Sequence, residues 1–127
     1  MQVFEKHITV VEEHLDFNHH VNNLIYMRWA LDISREHWLE RINPTIDEQY
    51  FWMVRTHHVE YKKQAFLGDE VTVKTYVEGY RGPFSDRTVK IYKGDELLVQ
   101  VKSNWCLIDR DTQKLKRVPD EIQNLFK

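Results

Sequence analysis

The stretch HLDFNHHVNN, residues 14–23, gathers three histidines, one aspartate and three asparagines into ten positions just ahead of an apolar run. Carboxylate and imidazole groups move protons near neutral pH, and asparagine amides both donate and accept hydrogen bonds. On an extended loop, the alternation of Asp16, Asn18 and His20 puts these three side chains on one side of the chain. A helix starting directly afterwards adds unpaired backbone N–H groups and the positive end of its dipole, a combination able to hold an anion. The plainer reading of Asp16 and Asn18 is a loop closed by Asx-turn hydrogen bonds, and Asn22 is first of all a helix N-cap.

Positioning these groups requires a scaffold, and the rest of the chain describes one. Residues 3–11 alternate loosely and are rich in β-branched types, which predicts a strand. From Asn23 to about Arg41, Leu24, Met27 and Leu31, together with Ile25, Trp29 and Ile33, recur at helical spacing, with Arg28 and Asp32 four apart. Apolar positions cover most of its circumference, so a largely buried helix is expected, ended by Asn43-Pro44. Four strand-like runs follow at residues 51–63, 70–80, 85–92 and 97–108, separated by the turn-like LGDE, RGPF and KGDE. A short terminal helix is expected from Pro119. The order predicts an α+β fold in a single domain over residues 1–127, with one long central helix against a curved five-stranded antiparallel sheet. One helix cannot cover that sheet, which leaves edges and apolar surface for a second subunit and predicts at least a homodimer.

Composition narrows the classes of function. The 127 residues are 42% hydrophobic and 30% charged, with a formal net charge of -2 and interspersed basic and acidic residues, so no nucleic-acid face is expected. Cys106 is the only cysteine, which excludes an intramolecular disulfide, suits a reducing compartment and reads as a small buried hydrophobe. The N-terminus lacks a signal-peptide pattern and no apolar run has membrane-spanning length, so a cytoplasmic protein without membrane insertion is expected. His14, His19, His20, His57 and His58 raise a metal site, but without a cysteine pair or HExxH spacing no metal is expected.

Asp16-x-Asn18-x-His20-Val21-Asn22-Asn23, entering a helix, resembles the motif of the hotdog-fold thioesterases: the acyl-CoA thioesterases related to 4-hydroxybenzoyl-CoA thioesterase and the plant-type acyl-ACP thioesterases. LDFNHHVNNLIYMRW is most similar to the plant-type stretch, and VEYKKQAFLGDEV at residues 59–71 to a strand and turn of both groups. The resemblance implies a hotdog fold and hydrolysis of an acyl-CoA or acyl-ACP thioester, with no cofactor beyond the coenzyme A or phosphopantetheine of the substrate. It implies Asp16 as base or nucleophile, Asn18 orienting substrate or water, His20 assisting proton transfer and the backbone N–H of Asn23 polarising the carbonyl. It also implies a homodimer, or a dimer of dimers, with the pocket between subunits.

Two positions depart from the pattern. Gln64 and Ala65 stand where the plant-type enzymes carry glutamate then cysteine, and Gln64 can position a water but cannot be a base. His19 replaces a glycine of many bacterial members, which predicts an altered loop or a narrowed pocket. Asn22 and Arg87 are candidate substrate contacts, Arg87 grouped with Lys62, Lys63 and Arg81 as possible partners of coenzyme A phosphates or an acidic carrier; for these four the plainer reading is a solvated sheet edge. Trp29, Trp38, Trp52 and Trp105 are expected in core or interface packing, some of them lining an acyl tunnel. The competing functions are a catalytically silent acyl-thioester-binding domain, and an enoyl hydratase, whose motif has proline where His19 stands and its histidine later than His20.

Overall fold

Alternation builds the sheet. In the computed structural model, which describes residues 1–127, Val71, Val73, Thr75 and Val77 of β3 (Glu70–Arg81) are buried in turn, and so are Ser85, Arg87, Val89 and Ile91 of β4 (Phe84–Lys93). The other strands are β1 (Phe4–Thr9), β2 (Tyr50–Tyr61) and β5 (Glu96–Asp109), all antiparallel in the order β1-β3-β4-β5-β2. Gly82 and Gly94 each open a two-residue hairpin turn with φ of 59°, where a left-handed conformation is needed and a Cβ is penalised. The sheet class and the central helix agree with the sequence.

The helix α1 (Asn23–Arg41) lies across the inner face, chiefly against β3. It buries Tyr26, Trp29, Ala30, Ile33, His37 and Trp38, one stripe at helical spacing. The expectation of burial around most of its circumference is corrected: Leu24, Leu31 and Leu39 are exposed, because no element of the chain packs on that side. Asn43 and Pro44 do end α1, but they also start α2 (Pro44–Gln49), with Asn43 as N-cap and Pro44 in the first turn, a helix that the sequence pattern does not predict. The terminal helix is α3 (Asp120–Leu125).

Two apolar clusters result. Tyr26, Trp29 and Ile33 pack with Val73, Ile91 and Val101, while Trp38 packs with Leu107, Ile122 and Phe126 toward the other end of α1. Cys106 is buried, its thiol 3.4 Å from the Met53 carbonyl, as a small hydrophobe would sit.

His37 lies where the clusters meet, stacked on Phe4 and edge-on to Phe126. Arg87 Nη1 lies 2.9 Å from His37 Nδ1. A guanidinium can only donate, so Nδ1 accepts and Nε2 carries the proton. Burial, then the charges of Arg87 and Arg41, lower the His37 pKa to about 4. Between that value and the ordinary pKa of roughly 6.5, the unfolded chain binds a proton that the folded chain refuses, so stability falls as pH falls. Urea unfolding should show His37 costing about 2 kcal/mol on going from pH 7 to pH 5, a component absent from His37→Gln.

Candidate functional site

The polar stretch folds into a miniature hairpin. Leu15 and Val21 form a bridge, Asp16 N–H donates to the His20 carbonyl at 2.9 Å, and His19 N–H donates to the Asp16 carbonyl at 3.1 Å. The extended path expected for residues 16–20 is therefore corrected to a tight turn, which removes the alternation that would have aligned Asp16, Asn18 and His20. The cause is local: Asp16 Oδ1 accepts from the backbone N–H of Asn18 at 2.9 Å and from that of His20 at 3.4 Å. An aspartate that bonds its own backbone two residues on offers the chain a turn in place of an extended strand. His19 sits in this turn at φ 63°, the left-handed region that favours glycine.

Asp16 is thus held, half-buried, by backbone donors, whereas Asn18 and His19 are exposed. His20 is half-buried with its ring edge-on to Phe66, and its backbone bridges to that residue. The structure brings Asp16 and His20 together in one hairpin, while the Asn18 side chain makes no hydrogen bond within the chain.

The start of α1 follows directly. Asn22 caps it, its side-chain oxygen accepting from Leu24 N–H at 2.9 Å while its carbonyl accepts from Ile25 N–H at 2.8 Å. The backbone N–H of Asn23 has no acceptor anywhere in the chain, and no acidic residue lies in the first turn. An open donor therefore stands at the positive end of a 19-residue helix.

The connection between β2 and β3 pins this start in place. Val21 N–H donates to the Ala65 carbonyl at 3.1 Å, and Ala65 N–H donates to the phenolic oxygen of Tyr26 at 2.9 Å. Burial pushes the Tyr26 phenol above its ordinary pKa, against the pull of Ala65 N–H, and it stays neutral. Gln64, the residue before Ala65, is exposed and makes no hydrogen bond. The Tyr61 hydroxyl lies 3.5 Å from the Asn23 carbonyl. Sequence reasoning missed Tyr26 and Tyr61, whose apolar bodies fit the core pattern and whose hydroxyls meet partners 38 or 39 residues away.

Arg87 is not part of this group. It lies on β4, between β3 and β5, only 9% exposed, and donates to Thr75 Oγ1 at 3.0 Å as well as approaching His37. Its placement on a solvated sheet edge is corrected, because the side chain is on the face that α1 covers. Lys62 and Lys63 do sit at the surface, paired with Glu60 and Glu96. The histidines are dispersed: His14 accepts from Val11 N–H, His57 pairs with Ser103 and His58 lies near Glu60.

A long helix across the inner face of a five-stranded antiparallel sheet is the arrangement of the hotdog fold. Residues 1–126 match the acyl-ACP thioesterase N-terminal domain, and the chain belongs to that family. It is 27% identical over 77 residues to the chloroplastic oleoyl-acyl carrier protein thioesterase of Coriandrum sativum, covering 59% of this chain and 21% of that one. Over 77 residues it is 29% identical to oleoyl-acyl carrier protein thioesterase 2 of Arabidopsis thaliana, with the same coverage. The match spans about a fifth of the length of these curated relatives. Among solved structures, a Staphylococcus aureus protein in complex with CoA superposes with a TM-score of 0.86 at 21% identity, over 98% of this chain and 81% of that one. The YbaW probable thioesterase of Escherichia coli gives 0.85 at 19% identity, over 95% and 94%. A putative oleoyl thioesterase of Lactobacillus plantarum gives 0.89 at 13% identity, over 98% and 50%. These structures share the fold.

The local geometry predicts how substitutions act on stability. Asn22→Ala should cost about 1 kcal/mol through the lost cap. His19→Val should cost about 1–2 kcal/mol, because a β-branched residue is excluded from positive φ, while His19→Gly should be tolerated. Chemical denaturation of the three variants checks both.

Proposed function

We propose that the chain hydrolyses an acyl thioester, as acyl-CoA or acyl-ACP, to a carboxylic acid and a thiol. The observation that carries this reading is the unpaired Asn23 N–H at the positive end of α1, next in the chain to the hairpin that holds Asp16. A thioester carbonyl gains negative charge on oxygen when attacked, and a preorganised donor aimed at that oxygen is worth roughly 3 kcal/mol of barrier. In the general-base route, Asp16 takes a proton from water as the water oxygen bonds to the acyl carbon. The tetrahedral intermediate then expels the thiolate, which regains that proton. In the nucleophilic route, Asp16 itself bonds to the acyl carbon, the thiolate leaves, and water cleaves the resulting anhydride.

His20 assists proton transfer in this reading, Asn18 orients substrate or water from its exposed position, and Gln64 helps to place the water. Asn22 serves by capping the helix that presents the donor. Coenzyme A or phosphopantetheine enters with the substrate and no other cofactor is needed.

The silent binding domain remains the second reading, favoured by Gln64, which is exposed and supplies no base. Thiol release from short, long and aromatic acyl-CoAs and from acyl-ACP separates the two. Asp16→Asn retains an oxygen for the Asn18 and His20 N–H groups but cannot accept the proton, so turnover should fall by about 10²–10⁴-fold with the fold intact. Unchanged turnover in Asp16→Asn would remove Asp16 from the chemistry. No turnover on any substrate, with saturable acyl-CoA binding by calorimetry, would establish the binding domain.

The working unit in this proposal is a homodimer, or a dimer of dimers, in the cytoplasm, and no helix of the chain is long and apolar enough to cross a membrane. Phe17, Leu24, Phe66 and Leu67 are exposed around the site, and β2 has a free edge. Sedimentation should give two or four times the chain mass of 15.5 kDa; a monomer retaining full activity would contradict the assembly.

A further inference from the structure

A second chemically furnished space lies away from the Asp16 hairpin. Between the later turns of α1, α2 and the inner face of the sheet is a cavity of about 270 Å³, and no residue of 14–23 lines it. It runs along α1 from Leu31 to Trp38, roughly 12–22 Å from Asn23 at the rise of an α-helix. Trp38, Trp52, Val77 and Phe126 give it an apolar wall.

Most of its polar groups can donate hydrogen bonds. Arg87 lines it, is 9% exposed and has no carboxylate within salt-bridge distance. Its only hydrogen bonds in the chain are from Nη1 to His37 and Thr75, so the donors on Nε and Nη2 have no protein acceptor. Trp105 lines the same space, and its indole N–H, which can only donate, is buried without a partner. The Tyr80 hydroxyl and Ser85 add groups able to donate. Burial lowers the Arg87 pKa to about 10, which leaves it charged at neutral pH. One carboxylate reaches the cavity wall, that of Asp47, and it is already occupied by Trp38 Nε1 at 3.1 Å and Arg35 at 3.5 Å.

A buried cation without a counter-charge is costly, and an unpaired N–H beside it adds to the cost. Both are relieved by the same occupant, an apolar chain ending in an anion that accepts several hydrogen bonds. A planar carboxylate matches the guanidinium fork, and Trp105 lines the same space. The geometry points to this cavity as a carboxylate-binding site that takes an aliphatic carboxylate. The occupant is either the far end of an acyl group whose thioester lies at the Asp16 site or a separate free acid. The first source rests on the thioesterase reading; the binding itself does not. The volume holds about nine water-sized groups at roughly 30 Å³ each, which sets the scale of the probe.

Calorimetry at pH 7 with octanoate and with 1-octanol, on the native chain, Arg87→Gln and Trp105→Phe, tests the site without any turnover. Octanoate should bind the native chain more tightly than octanol. Arg87→Gln should weaken octanoate by about 10-fold or more and Trp105→Phe by about 3-fold, as expected for hydrogen bonds to a charged group and from a single neutral donor. Octanol should change little. Equal binding of octanoate and octanol to the native chain, or octanoate binding indifferent to the substitutions, would overturn the proposal. Should Arg87→Gln fail to fold, the native octanoate-to-octanol comparison and Trp105→Phe still decide it.

Hexadecanedioyl-CoA against hexadecanoyl-CoA, bound to the Asp16→Asn chain, separates the sources. A preference for the terminal carboxylate that disappears with Arg87→Gln assigns it to the acyl group. Octanoate binding alongside hexadecanoyl-CoA, without that preference, assigns it to a free acid. Octanoate binding in a chain that releases no thiol would sink the hydrolase reading alone.

Discussion

The hydrogen bond from Ala65 N–H to the Tyr26 hydroxyl is the constraint on which the site geometry rests. Both residues are almost fully buried, and the bond ties the first turn of α1 to the connection between β2 and β3. Ala65 then accepts from Val21 N–H, so one short segment holds the helix start from within and from the loop before it. In a buried environment each of these groups would carry a desolvation cost of about 1–3 kcal/mol if left unpaired. The register between the helix start and the sheet is therefore well determined, and with it the direction of the open Asn23 N–H.

The hairpin before the helix is stabilised differently. Its bonds are short in sequence, from Asp16 to the backbone of Asn18 and His20, and it includes a histidine at positive φ. The Asp16 carboxylate performs two tasks in the proposed function, closing the turn with one oxygen and facing the substrate with its remaining capacity. Asp16→Ala would disturb both together, whereas the asparagine variant separates them.

Farther along α1 the chain tolerates a charge inside its core. Arg87 replaces an apolar residue in the alternating row of β4, and His37 stays neutral beside it as a hydrogen-bond acceptor. Trp38 and Trp52 meet edge to face near the cavity, with Phe126 stacked on Trp38. Rigid aromatic walls and a fixed guanidinium furnish this end of the molecule, separate from the open helix start.

Strand alternation, the extent of α1, the Asn22 cap and the glycine turns were legible in the sequence, because each depends on residues a few positions apart. So was the open start of α1, since a capped helix after a polar loop presents free N–H groups. The path of residues 16–20 differs from the extended one that the sequence pattern predicts, because side chain-to-backbone bonding competes with extension and prevails. Tyr26 as the partner of Ala65, the cavity and the burial of Arg87 came only with the tertiary structure. The positions of Arg87, Trp105, Trp38 and Phe126 around one space depend on strand order and on where α1 crosses the sheet. A sequence specifies which residues share a face of one element; which faces meet is decided by long-range packing.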